Sequence, residues 1–166
     1  MPAIRGRGRK EQIRLAATYG IDRYPAPGGG CLLTEESFIP KVQDLLDHQS
    51  LPVVRDFDLL RVGRHFRLGE SCKVIIGRNL ADNERLLAAA GPEETTMRWL
   101  GGASPIALVI GPVTDQERLT AARLLLRYTK AVIGEVVRVS AYRGEERLEM
   151  QVAVGLTEEE LERLRI

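Results

Sequence analysis

The chain has 166 residues, enough for one domain or for a small domain with an extension. Its 24 basic and 23 acidic residues leave a formal net charge of +1, which excludes binding a polyanion through bulk charge alone. Two cysteines do not make a disulfide framework, no apolar signal region follows the start, and no apolar run nears the ~18 residues needed to span a bilayer.

These features predict a cytoplasmic protein with reduced thiols and no membrane partner. The charge is unevenly spread. Arg5 to Arg23 and Arg61 to Arg78 are mostly basic, and the tail after Gly144 is acidic on balance. Local patches matter more than the sum when the partner is a nucleic acid.

In chain order, "RKEQIRLAATYGI" places Ile13, Ala16 and Ala17 on one face and stops at Gly20, which predicts a short helix. Residues 21–33 are a Pro/Gly loop. "TEESFIPKVQDLLDH" predicts a helix capped by Thr34, with Phe38, Val42, Leu45 and Leu46 on one face. Pro40 either kinks it or makes its first turn irregular. "FDLLRV", "HFRL" and "KVIIG" predict three strands.

"LADNERLLAAAG" predicts a helix stopped by Gly91-Pro92, and "TTMRWL" and "IALVIG" predict strands. "TDQERLTAARLLLRYTKA" predicts a helix with Thr114 as N-cap and Glu117 in a capping box. "EVVRVSAYRGEERLEMQVAVG" predicts a hairpin turning at Arg143-Gly144, followed by a short polar helix, "TEEELERLR". The fold class is α+β. Residues 1–54 form a helical segment with a glycine-rich loop, and residues 55–166 form a compact mixed sheet with packed helices.

Cys31 follows three glycines and precedes the predicted helix start. Converging backbone N–H groups and a helix N-terminus both favour a thiolate, the form needed by a nucleophile or a metal ligand. The alternative is a small residue closing a turn. There is no CxxC, and His48 and His65 are not at ligand spacing, so no complete metal site is expected within the chain. The glycine loop lacks the Lys-Ser/Thr of a phosphate-binding P-loop. Cys72 opens a strand and is expected to be structural.

Arg61, Arg64, Arg67, Lys73 and Arg78 fall in a sheet-forming stretch with one acid, Glu70. On adjacent strands, alternate positions would gather several of them on one face, and the arginine fork suits phosphate. A solvated sheet face is the other reading. Asn79 and Asn83 sit at a strand-to-helix junction, a favourable place for phosphate. Phe66 is the lone aromatic in the stretch, so recognition of structured RNA by shape and backbone fits better than base stacking.

"VIIGRNLADNERLL", with the strands and helix after it, resembles the NFACT-R type of RNA-binding domain. That pattern is a strand, Gly-Lys/Arg-Asn, then Asn-x-x-Leu opening a helix, here on Gly77, Arg78, Asn79, Asn83 and Leu86. Larger NFACT proteins carry Trp-Phe-His and Gly-Ser-His stretches; this chain has "MRWLGGASPIAL" there, as in a divergent version of the domain.

The front part, "GRGRKEQIRLAATYGIDRYPAPGGGCLLT", together with "LLRVGRHFRL", is similar to the C-terminal portion of bacterial MnmA-like PP-loop tRNA thiouridine synthetases. The Ser-Gly-Gly-x-Asp-Ser loop of their ATP site is absent from this sequence. The resemblance implies a tRNA-binding module of thiouridine modification that is no enzyme on its own. It implies a PP-loop ATP-pyrophosphatase partner, with ATP and an iron–sulfur cluster as cofactors of a missing or partner domain. Cys31 would be a sulfur carrier or a shared cluster ligand. The alternatives are a free-standing RNA-binding protein and a structural remnant.

Overall fold

The computed structural model describes residues 10–21 and 35–166, with side chains from residue 13 onward. Cys31, Thr34 and the glycine-rich loop lie outside the described residues. The chain divides into two units, residues 1–35 and 36–166.

In the first unit, helix α1 (Lys10–Thr18) ends as its sequence predicts. Gly20 takes a φ of +64°, and the Ile21 N–H reaches back to the Ala16 carbonyl at 2.9 Å. The left-handed glycine thereby satisfies carbonyls the last turn would leave open.

The second unit contains helices α2 (Ile39–His48), α3 (Val54–Leu59), α4 (Leu80–Ala89), α5 (Asp115–Leu126) and α6 (Glu158–Leu164). Its strands are β1 (Arg64–Arg67), β2 (Lys73–Ile76), β3 (Thr95–Trp99), β4 (Ala107–Ile110), β5 (Val136–Arg143) and β6 (Glu146–Ala153). They form one antiparallel sheet in the order β1-β2-β4-β3-β5-β6.

Two expectations need correction. "FDLLRV" is not a strand. Asp56 accepts hydrogen bonds from the Val53 N–H and from Gln49 Nε2, both at 2.8 Å, and so starts α3. Leu59 and Val62, three apart, then turn into one buried cluster. Helix α2 begins at Ile39, with residues 36–38 in a turn. Pro40 falls in its first turn, where the missing N–H costs nothing and no kink is required.

Elsewhere the local chemistry acts as read. Thr114 and Glu117 make a reciprocal capping box on α5, and Thr157 and Glu160 make another on α6. The β5–β6 hairpin turns through Gly144, at φ +56°.

Connection handedness explains the layers. The path β2–α4–β3 skips over β4, and β4–α5–β5 skips over β3. Both crossovers travel the same way across the sheet but start from strands of opposite direction. Right-handed connections therefore put α4 and α5 on opposite faces. On one face Val74, Ile76, Met97, Val109 and Val139 pack with α5 and Leu161 of α6. On the other, Ile75 and Leu108 pack with Leu59 of α3, Val62 just after it and Leu86 of α4.

Candidate nucleic-acid interface

The five predicted cations do not share a face. Arg64 pairs with Ile76 and lies on the α5 side; Arg67 pairs with Lys73 on the α4 side. Alternation along β1 forces this split, because residues three apart point opposite ways.

Arg67 and Lys73 are committed to Asp44 of α2. The Arg67 guanidinium donates Nε to Oδ1 at 2.8 Å and Nη2 to Oδ2 at 2.7 Å, and Lys73 Nζ donates to Oδ2 at 2.8 Å. All three groups are largely buried. Burial alone would raise the Asp44 carboxyl, but the hydrogen bonds and charges of Arg67 and Lys73 prevail and hold it below the usual carboxylate range. Burial lowers Lys73 against the pull of Asp44.

His65 sits on the same side, 1% exposed, in a cleft of ≈ 350 Å³. Its Nε2–H donates to the Val62 carbonyl at 2.9 Å, while Nδ1 is buried with no partner. Burial, reinforced by the charge of Lys73, pushes its pKa down to about 3.

On the α5 side a groove of ≈ 470 Å³ opens at the end of the sheet. Arg64, the Gly77–Asn79 turn, Asn83, Ser104 and the segment from Tyr128 to Lys130 line it. Three of its lining residues are cations (Arg64, Arg78, Lys130) and none is an acid.

The Gly77-Arg78-Asn79 turn is built from its own side chains. Asn79 caps α4, accepting the Asp82 N–H at 2.9 Å. Asn83 Oδ1 accepts the Ile106 N–H at 3.0 Å and occupies the position a Cβ on Gly77 would take, so a side chain at residue 77 would displace Asn83 from that hydrogen bond. Asp82, 4% exposed, ties the turn together. Its Oδ2 accepts the Gly63 N–H at 3.2 Å, the Arg78 N–H at 3.1 Å and Arg78 Nε at 2.7 Å. The Arg78 hydrogen bond is the main reason its carboxyl lies below the ordinary value.

Gly63 is equally constrained. Its φ is +72°, and a Cβ would stand 2.6 Å from the Ile76 carbonyl oxygen. Arg78 also donates Nη2 to the Arg61 carbonyl at 3.1 Å, which orients the guanidinium at the groove mouth while leaving it about half exposed. The Arg61 side chain is exposed, with no ion pair among the described residues.

Arg64 stacks on Tyr128, with its guanidinium carbon 4.4 Å from the ring centre, an arrangement that orders the fork without using its donors. The Tyr128 hydroxyl is buried and has no hydrogen-bond partner. Lys130 is exposed and unpaired among the described residues. Tyr128 and Lys130 are the groove residues the sequence reading missed. They look like part of the α5 helix in "LLLRYTKA", but α5 ends at Leu126, and the chain then turns toward Arg64. The groove can therefore offer cationic and neutral donors to an anionic oxygen chain.

Cys72 is fully buried, and burial pushes its thiol up to about 11, so it is a core residue. No group of three metal-ligating side chains occurs among the described residues. None of their helices is long and apolar enough to cross a membrane.

Comparison with curated proteins finds no match. Among solved structures, the chain is similar to the C-terminal part of the fibronectin/fibrinogen-binding protein from Streptococcus suis. The TM-score is 0.54 at 13% identity, covering 94% of this chain and 74% of that one. At that identity the likeness establishes the shared fold alone. Residues 63–165 match the family model described as NFACT protein RNA binding domain, and they contain the whole groove. On that match, the chain belongs to the NFACT family of RNA-binding domains.

Proposed function

We propose that the protein binds the backbone of structured RNA, with tRNA as the reference ligand, in the groove at the sheet end. The observation that carries this reading is the lining: Arg64, Arg78 and Lys130 with no acid between them. Arg64 and Lys130 contact phosphate, and Arg78 does so with the part of its guanidinium that Asp82 leaves free. The Tyr128 ring holds the Arg64 guanidinium in place for this contact. Asn79 and Asn83 act as positioning residues for the turn, because their side-chain oxygens already serve backbone N–H groups. Arg67 and Lys73 hold α2 rather than RNA.

The finer link to tRNA thiouridine modification, with a PP-loop partner, rests on the sequence similarity of residues 6–34 and 59–68. Neither the family match nor the structural likeness bears on it.

Arg64→Ala with Lys130→Ala is expected to weaken binding of a tRNA transcript, with little effect on folding. Each lost phosphate contact flattens the plot of log affinity against log salt by about 0.7–0.9. Fluorescence anisotropy at several salt concentrations checks this. Equal affinities and slopes for variant and wild type would remove the groove as the binding site.

A further inference from the structure

The half of the sheet formed by β3, β5 and β6 has a side that no helix among the described residues covers. Its α5 side is packed, but α3 and α4 cover only β2 and β4 on the other. There the paired residues are Arg98 opposite Ser140, Ser140 opposite Glu149, Arg138 opposite Gln151, and Tyr142 opposite Arg147. Arg98, Arg138, Arg147 and Gln151 are all exposed.

Three arginines thus share one acid. Glu149 is 3.8 Å from Arg138 and also pairs with Arg147, while Arg98 has no ion pair among the described residues. Ser140, at the centre, is 0% exposed, and its Oγ has no hydrogen-bond partner.

This face and the groove meet at the same end of the sheet. Arg98 leads directly into Trp99, whose N–H donates to Ser104 Oγ at 3.0 Å, and Ser104 lines the groove. The Leu100 N–H donates to the Arg138 carbonyl at 3.0 Å. Arg98 and Arg138 are diagonal neighbours on adjacent strands, about 7–8 Å apart at Cα. They stand at the end of the sheet where the groove opens.

We propose that the RNA-binding surface does not end at the groove. The same RNA backbone continues over the sheet end onto the open face, where Arg98 and Arg138 take up further phosphates. An acidic protein would match the charge of this face equally well. The shared edge with an acid-free groove favours one polyanion spanning both. This inference rests on the RNA-binding reading of the groove.

The test compares Arg98→Ala/Arg138→Ala with Arg64→Ala/Lys130→Ala and wild type, each titrated with a tRNA transcript across a salt series. Both arginines are exposed, so melting curves should match wild type. Loss of two contacts lowers the salt slope by about 1.4–1.8 and weakens binding at low salt. Arg98→Lys/Arg138→Lys keeps the charges and should keep the slope. An alanine pair that binds like wild type while the groove pair is weakened overturns the extension and leaves the groove standing. Absence of wild-type binding at low salt overturns both.

Discussion

Asp44→Ala is expected to destabilise the second unit by about 3–5 kcal/mol, the usual cost of stripping a buried pair of one partner. One carboxylate serves two cations here, and the side chains of Arg67 and Lys73 are only 20% and 9% exposed. Without Asp44 both keep their desolvation cost and lose their compensation. Domain stabilities of about 5–15 kcal/mol make this a large fraction of the total. Helix α2 should lose its attachment first, because Asp44 is its polar anchor on the sheet. Urea unfolding with hydrogen exchange on residues 39–48 checks both points. Replacing the whole group, as Asp44→Leu/Arg67→Leu/Lys73→Met, should recover much of the loss, because no buried charge remains. A loss under about 1 kcal/mol in the single variant would mean that the cations are solvated and available to ligands, as for surface pairs.

Acid should unfold the protein earlier than its carboxylates alone require. The His65 pKa is depressed from 6.5 to about 3 in the folded state by burial, with Lys73 and Lys41 adding like charge and Asp44 and the Val62 carbonyl opposing. Below pH 6.5 the unfolded chain takes up a proton that the folded chain refuses. The stability is therefore complete above that pH and drains away as pH falls toward 3, at up to about 1.4 kcal/mol per pH unit. Asp44 and Asp82, both depressed carboxylates, add their loss only below their ordinary value of 3.8. Urea unfolding at pH 7, 6 and 5 should show the slope. His65→Gln, which can keep a donor near the Val62 carbonyl, should flatten it. The same slope in His65→Gln would assign the acid sensitivity to other groups.

The sequence announces local rules well and distant partners poorly. The glycine, arginine and asparagine at 77–79 mark a strand-to-helix junction because each acts within a few residues: space left for the Asn83 side chain, a clamp onto Asp82, a cap on α4. Thr114 with Glu117, and Gly20 after α1, are legible for the same reason. "FDLLRV" misleads because a short apolar run suits a buried strand and a buried helical turn equally. The pairing of Arg67 and Lys73 with Asp44 spans 23 and 29 residues, and no pattern in the chain joins them. The basic cluster at 61–78 therefore reads as one patch, although folding divides it into a salt-bridged anchor and part of an open groove. Tyr128 and Lys130 complete that groove from a loop whose sequence still looks helical.

The most direct test is an amide NMR titration of the chain with a short RNA hairpin at low salt. The largest shift changes should fall on Arg64, Gly77 to Asn79 and Tyr128 to Lys130, and should fade as salt is added. Changes absent from these residues, or confined to the cleft around His65 and Arg67, would contradict RNA binding at the groove.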